Sequence, residues 1–99
     1  MLPASRFYRA VRQFAVQTQA FETALRIETT PEDTWDLTLV SQKVYGNRND
    51  WLAIMAAAGL DRVNQPLPQT LLILPTASQL ANIKAQTGYV ANPVTRKVR

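Results

Sequence analysis

The stretch KVYGNRNDWLAIMAAAGL, residues 43–60, constrains the fold of this chain more than any other segment. Ahead of it, Leu37, Val40, Ser41, Val44 and Tyr45 recur at helical spacing and stop at Gly46, a residue that readily takes the left-handed backbone ending a helix. Asn49 or Asp50 then caps a second helix, in which Trp51, Ile54, Met55 and Ala58 fall at i, i+3, i+4 and i+7 as one buried stripe closed by Gly59. Upstream, TALRIET alternates as a strand does, which places a strand near residues 24–29. Downstream, QTLLIL reads as a second strand, closed by Pro75 because proline cannot donate to a sheet ladder. The order is strand, helix, helix, strand, an α+β class.

The flanks are less regular. No proline or glycine occurs from Ala4 to Thr30, and Phe7, Val11, Phe14, Thr18, Phe21 and Leu25 alternate at spacings of four and three. A helix over roughly 4–18 follows, with the segment 1–23 either packing on the core or standing out as an extended arm. In TTPEDTWD, Pro31 biases Thr30 toward extended geometry, and Asp33 or Thr34 can cap the helix that runs to Gly46. The acids Glu32, Asp33 and Asp36 suit a helix N-terminus through its dipole. Past Pro75, Thr76 with Gln79 three residues on forms a capping box, Leu80 and Ile83 give a short helix one apolar side, and Gly88 ends it. YVANPVTRKVR reads as an extended tail. Three parts result: an arm or helix at 1–23, a body at 24–75, and a short helix with a basic tail at 76–99.

Ninety-nine residues make one domain, and a domain of about 100 residues buries roughly two thirds of its unfolded surface. Cysteine and histidine are both absent, which removes disulfides, thiolate nucleophiles, the usual zinc ligands and the side chain that shuttles protons near neutrality. Ser5, Ser41 and Ser78 have no histidine to activate them. The expectation is a protein without catalysis, cofactor or metal. Residues 1–20 lack the apolar stretch of a signal peptide, and no run approaches the ~20 apolar residues of a membrane span, so a chain that is neither exported nor membrane-bound is expected.

Charge is unevenly placed: +2 over residues 1–24, −2 over 25–75 and +4 over 76–99. Basic ends around an acidic centre point to ends that reach partners, with Arg6, Arg9, Arg12, Arg96, Lys97 and Arg99 as candidate interface residues. The plainer alternative is tails that aid solubility. Nucleic acid would meet the same bases, but no base-reading motif accompanies them. On the second strand, Leu72 and Leu74 point to one face, and Leu71 and Ile73 to the other. If the first pair meets the helices, the second must be covered by the N-terminal segment or by a neighbouring subunit, with about 1.5–3 kcal/mol at stake per side chain.

The DT near the first helix, YG at its end, W opening the second and an L-x-L-P close together resemble the LysM domain over residues 25–75. Asp33 and Thr34 match its GDT turn without the glycine, Tyr45 and Gly46 the end of its first helix, Gly59 and Leu60 its NGL, and Leu72, Leu74 and Pro75 its closing strand. The chain departs from the pattern with about two extra residues in the first helix, which leaves open the register in which Trp35 and Asp36 take the DT positions, and with Ala58 in place of Asn and Gln69 in place of Gly. DTWDLTLVSQKVYGNRNDW is similar to a subset: small LysM-containing tail and baseplate proteins of contractile bacteriophages (tail protein X-like). That resemblance implies a virion structural component, made in the host cytoplasm, whose partners are other tail or baseplate proteins in a symmetric, multi-copy assembly. The alternative it implies is a peptidoglycan-binding module, with Asp33, Thr34 and Trp35 at the sugar groove and Trp35, Trp51 or Tyr45 stacking on sugar rings. Leu37, Val40, Val44, Tyr45, Trp51, Ile54, Met55, Leu72 and Leu74 form the expected core. If the ends serve only assembly, deleting residues 1–20 or 90–99 leaves the body folded.

Overall fold

The computed structural model describes residues 2–62 and 65–90. Its elements run α1 (Pro3–Gln17), β1 (Leu25–Glu28), a 3-10 turn (Pro31–Asp33), α2 (Leu37–Tyr45), α3 (Trp51–Ala58), β2 (Leu71–Leu74) and α4 (Ala77–Thr87). The α+β class holds, with four helices and a two-stranded antiparallel sheet among the described residues.

Leu25 pairs with Leu74, Arg26 with Ile73, Ile27 with Leu72 and Glu28 with Leu71. Side chains alternate across a strand, so Leu25, Ile27, Leu72 and Leu74 share the inner face while Arg26, Glu28, Leu71 and Ile73 share the outer one. Two short strands are marginal alone, and the helices behind the inner face supply their stability.

Helix α3 lies at the centre, packed against α1, α2 and β2. The sequence spacing predicts one stripe on it; instead Ala53, Ile54, Met55, Ala56 and Ala57 are all buried, while Trp51 and Ala58 are only half-buried. The cause is its neighbours: three elements surround a helix whose alanines let backbones come close, and a helix apolar on all sides is a buried one. Val44 and Tyr45 are also half-buried at the margin of the core.

The N-terminal segment is a helix and part of this core, not an arm. Pro3 starts it, its fixed φ and missing N–H suiting the first helical turn. Phe7 and Val11 are fully buried, and the Phe7 ring stacks on Tyr89 at 4.4 Å between centroids. With Leu80 of α4 in the same cluster, the parts divided at residues 23 and 75 in the sequence share one core.

Helix α1 ends at Gln17, in keeping with the expected bounds of 4–18, although the apolar spacing continues to Leu25. At the end of α1 the Thr18 hydroxyl donates to the Phe14 carbonyl at 2.6 Å. Arg26 then gathers the carbonyls of Gln19, Ala20 and Glu22 at 3.0–3.2 Å, fixing a turn that leaves Phe21 86% exposed. Helix α2 also begins later than expected, with Asp36 as its cap accepting the Leu39 amide at 3.1 Å. Asp33 serves the preceding 3-10 turn instead, in a reciprocal cap with Thr30. Gly46 and Gly59 close α2 and α3 with φ of +77° and +75°, a left-handed backbone that favours glycine.

Candidate binding surface

The Trp35 side chain lies beside the start of α2. It is 71% exposed and, with Asp36, Leu37, Thr38 and Trp51, lines a shallow cleft of about 260 Å³. The backbone beneath is held firmly. Asp33, only 2% exposed, accepts the Thr30 amide at 2.8 Å through Oδ2 and the Lys43 ammonium at 2.9 Å through Oδ1. The Thr34 carbonyl accepts the Leu67 amide at 2.7 Å, joining the loops before α2 and before β2.

Charge is fixed in the same loop. Burial alone would raise the Asp33 pKa, but hydrogen bonds from the Thr30 amide, Lys43 and the Thr30 hydroxyl outweigh it and hold the carboxyl below the usual range. The Asp36 carboxyl is also lowered, chiefly by the Thr38 hydroxyl, which donates at 2.5 Å, and less by the Leu39 amide and Arg48. Both carboxylates are thus committed to backbone and neighbours. Of the three residues expected at a sugar groove, Asp33 is buried and paired, the Thr34 hydroxyl donates to Pro31 at 2.9 Å, and Trp35 alone is free to stack.

The α1 arginines divide similarly. Arg6 donates to the carbonyl of Thr87 at 3.3 Å and Arg12 to that of Ala57 at 3.1 Å. Each guanidinium meets the carbonyl end of a helix, α4 or α3, where a cation favours the dipole. These two side chains, expected to face partners, also hold the fold together. Arg9 lines a larger cleft of about 530 Å³ between α1 and α3, together with Tyr8, Arg12, Leu52, Met55 and Asp61. Tyr8 donates to the Leu60 carbonyl at 2.6 Å, bracing the wall of that cleft.

On the outer face of the sheet, Leu71 is exposed and Ile73 half-buried; α1 packs on the other side of β2 with the core and leaves Leu71 uncovered. Arg96, Lys97 and Arg99 lie outside the described residues.

A second buried aspartate carries no comparable exposed neighbour. Asp50 precedes α3 but makes no side-chain cap to it; its amide is held by the Ser41 hydroxyl at 3.1 Å, and its Oδ1 faces Lys84 of α4 at 2.7 Å. That oxygen has no hydrogen bond of good geometry, so the contact is charge pairing. Nearby, burial and then the Asp50 charge raise the Tyr45 phenol far above its ordinary pKa, and Tyr45 donates to the Pro75 carbonyl at 2.7 Å. Sequence spacing gave no sign of the Asp50–Lys84 or Asp33–Lys43 pairs, which span 34 and 10 residues of chain.

Among the described residues no helix is long and apolar enough to cross a membrane. Compared with protein-family models, curated proteins and solved structures, the chain matches none.

Proposed function

We propose that this chain is a structural adaptor of a contractile phage tail or baseplate, a binding body without chemistry of its own. The observation carrying the adaptor role is a small braced body that leaves large apolar side chains in solvent: Trp35, Leu71 and Phe21 on the connections and outer sheet face. Aromatic and aliphatic anchors of this kind become the centres of protein interfaces. The tail setting rests on the LysM resemblance, which is supported by the order β1, α2, α3, β2 and the antiparallel pairing of its two strands. Fractionation of tail particles tests it: the chain should copurify at a fixed ratio to tube protein, and its absence from assembled particles defeats the proposal.

A second reading has one observation in its favour. Trp35 and Trp51 line one cleft, an arrangement that can stack on a sugar ring. Peptidoglycan pulldown separates the two readings, since retention abolished by Trp35→Ala supports sugar binding and no retention by the wild type removes it. Neither reading includes turnover; muropeptide hydrolysis by the pure protein, lost in Asp33→Ala, would contradict both.

A further inference from the structure

Two surfaces of this chain are complementary to each other. Of the four acids in residues 28–36, Asp33 is buried against Lys43 and Asp36 is held by Thr38, Leu39 and Arg48, which leaves Glu28 and Glu32 exposed in the segment that carries the exposed Trp35. Helix α1 holds three arginines and no acid, and its Arg9 and Arg12 line the cleft whose floor is Leu52 and Met55.

We infer that the α1/α3 cleft receives the Trp35 loop of a second copy of this chain. The cleft, about 530 Å³, has room for an indole and flanking backbone. Its apolar floor removes the ring from water, and guanidinium groups at its wall favour an aromatic face through cation–π attraction. Arg12 is already oriented by its bond to Ala57, so less side-chain freedom is lost on docking. Glu32 approaches as an acid with no cationic neighbour in its own nine-residue segment, while Asp61 on the cleft rim favours a docked segment whose acid lies toward Arg9. The occupant is a second copy because this chain itself carries the matching segment. Loop and cleft share no residue, so one copy can give its tryptophan while its own cleft is filled. A single aromatic anchor makes a small interface, of the weak and transient class. The inference rests on these two surfaces and not on the tail setting, so its failure leaves particle fractionation unaffected and the reverse.

Sedimentation of the full chain from micromolar to millimolar concentration, at low and high salt, reads the association. The wild type should rise above monomer mass with concentration and fall back with salt. Trp35→Ala should weaken association about 30-fold or more, as loss of a central aromatic anchor does. Arg9→Glu and Glu32→Arg should each weaken it, and the double variant should recover much of the loss. Because the chain has no cysteine, Ser5→Cys mixed with Glu32→Cys under oxidation should give a heterodimeric disulfide more than either alone. A strict monomer throughout overturns the inference; that result is also expected if the cleft serves an acidic segment of another protein. Association unchanged in Trp35→Ala, or lost there but untouched in Arg9→Glu, overturns it too.

Discussion

The surroundings of α3 and the connection before α2 are built from the same parts and use them oppositely. Each has a buried aspartate paired with a lysine from another element: Asp50 with Lys84, Asp33 with Lys43. Each also has a tryptophan within two residues of it. At α3 the charge pair ties α4 to the head of the central helix, and Trp51 lies half inside the packing. Before α2 the pair fixes a turn whose tryptophan stays 71% exposed. A buried charge at the first place serves the fold; at the second it holds an exposed group still. Variants that separate stability from presentation can test that contrast.

The largest effect belongs to the packing around α3. Phe7→Ala empties a fully buried site between α1 and Tyr89, and should cost about 3–5 kcal/mol, most of a small domain's stability. Deleting residues 1–20 should unfold the chain for the same reason, reversing the expectation drawn from sequence. Thermal unfolding followed by circular dichroism measures both. A stable, cooperative fold without α1 would make the N-terminal segment an arm after all.

Next come the two lysines. Lys84→Met leaves the nearly enclosed Asp50 carboxylate facing an uncharged chain and should cost about 3 kcal/mol, the low end for a broken buried pair because Lys84 is itself 30% exposed. Lys43→Met should cost about 1 kcal/mol, since Lys43 is 45% exposed and Asp33 keeps its bonds to Thr30. Urea unfolding of the pair of variants decides; equal costs would erase the distinction between the two regions.

Gly59 and Gly46 sharpen the same contrast with one chemistry. Both have positive φ, so alanine strains either by about 1–2 kcal/mol. At Gly59 the new Cβ would also lie 2.9 Å from the Arg12 guanidinium carbon, displacing a group that closes α3, whereas at Gly46 it meets open space. Gly59→Ala should therefore be the more destabilising by about 1 kcal/mol, the worth of the hydrogen bond put at risk. Equal melting temperatures would show that Arg12 moves aside freely.

How far the sequence could reveal these differences depends on distance along the chain. Local signals were legible: Gly46, Gly59 and Gly88 do end helices, Thr76 and Gln79 do form the capping box, and Leu72 and Leu74 do face the core. What misled was a contest between neighbours of similar chemistry. Asp33, Thr34 and Asp36 are all good caps, and Asp33 belongs to the 3-10 turn because it accepts the Thr30 amide locally and Lys43 from the next helix. The stripe through Phe14, Thr18 and Phe21 keeps helical spacing past the end expected near residue 18, where α1 does end and Arg26 organises a turn. Trp35 was legible only as a candidate for stacking on sugar; the α1/α3 cleft was not legible, because α1 and α3 meet only in the fold.

Acid sharpens the comparison further. The Asp33 and Asp36 carboxyls lie below their ordinary value of 3.8, so each contributes stability that is fully present above that value and lost as pH falls through the lower, folded one. Stability should be flat near neutrality and decline below about pH 4, and Asp33→Asn should reduce that decline while costing about 1 kcal/mol at pH 7 through the lost pair with the partly exposed Lys43. Urea midpoints across pH 2–7 supply the measurement. An unchanged acid limb in the variant would mean that the loop's charge does not contribute as its hydrogen bonds imply.

The smallest expected change in stability is at Trp35. Its side chain is largely in solvent, so Trp35→Ala should shift unfolding by no more than about 0.5 kcal/mol, while Trp51→Ala, which strips a half-buried ring from the margin of the core, should cost several times that. A large indole held in water by a braced loop gains nothing for the isolated fold. If removing it leaves the melting curve in place and abolishes association, the side chain's purpose lies outside its own chain. If instead the melting temperature falls as far as in Trp51→Ala, Trp35 is covered in solution by packing within this molecule, and the division between a supporting interior and a presenting loop disappears.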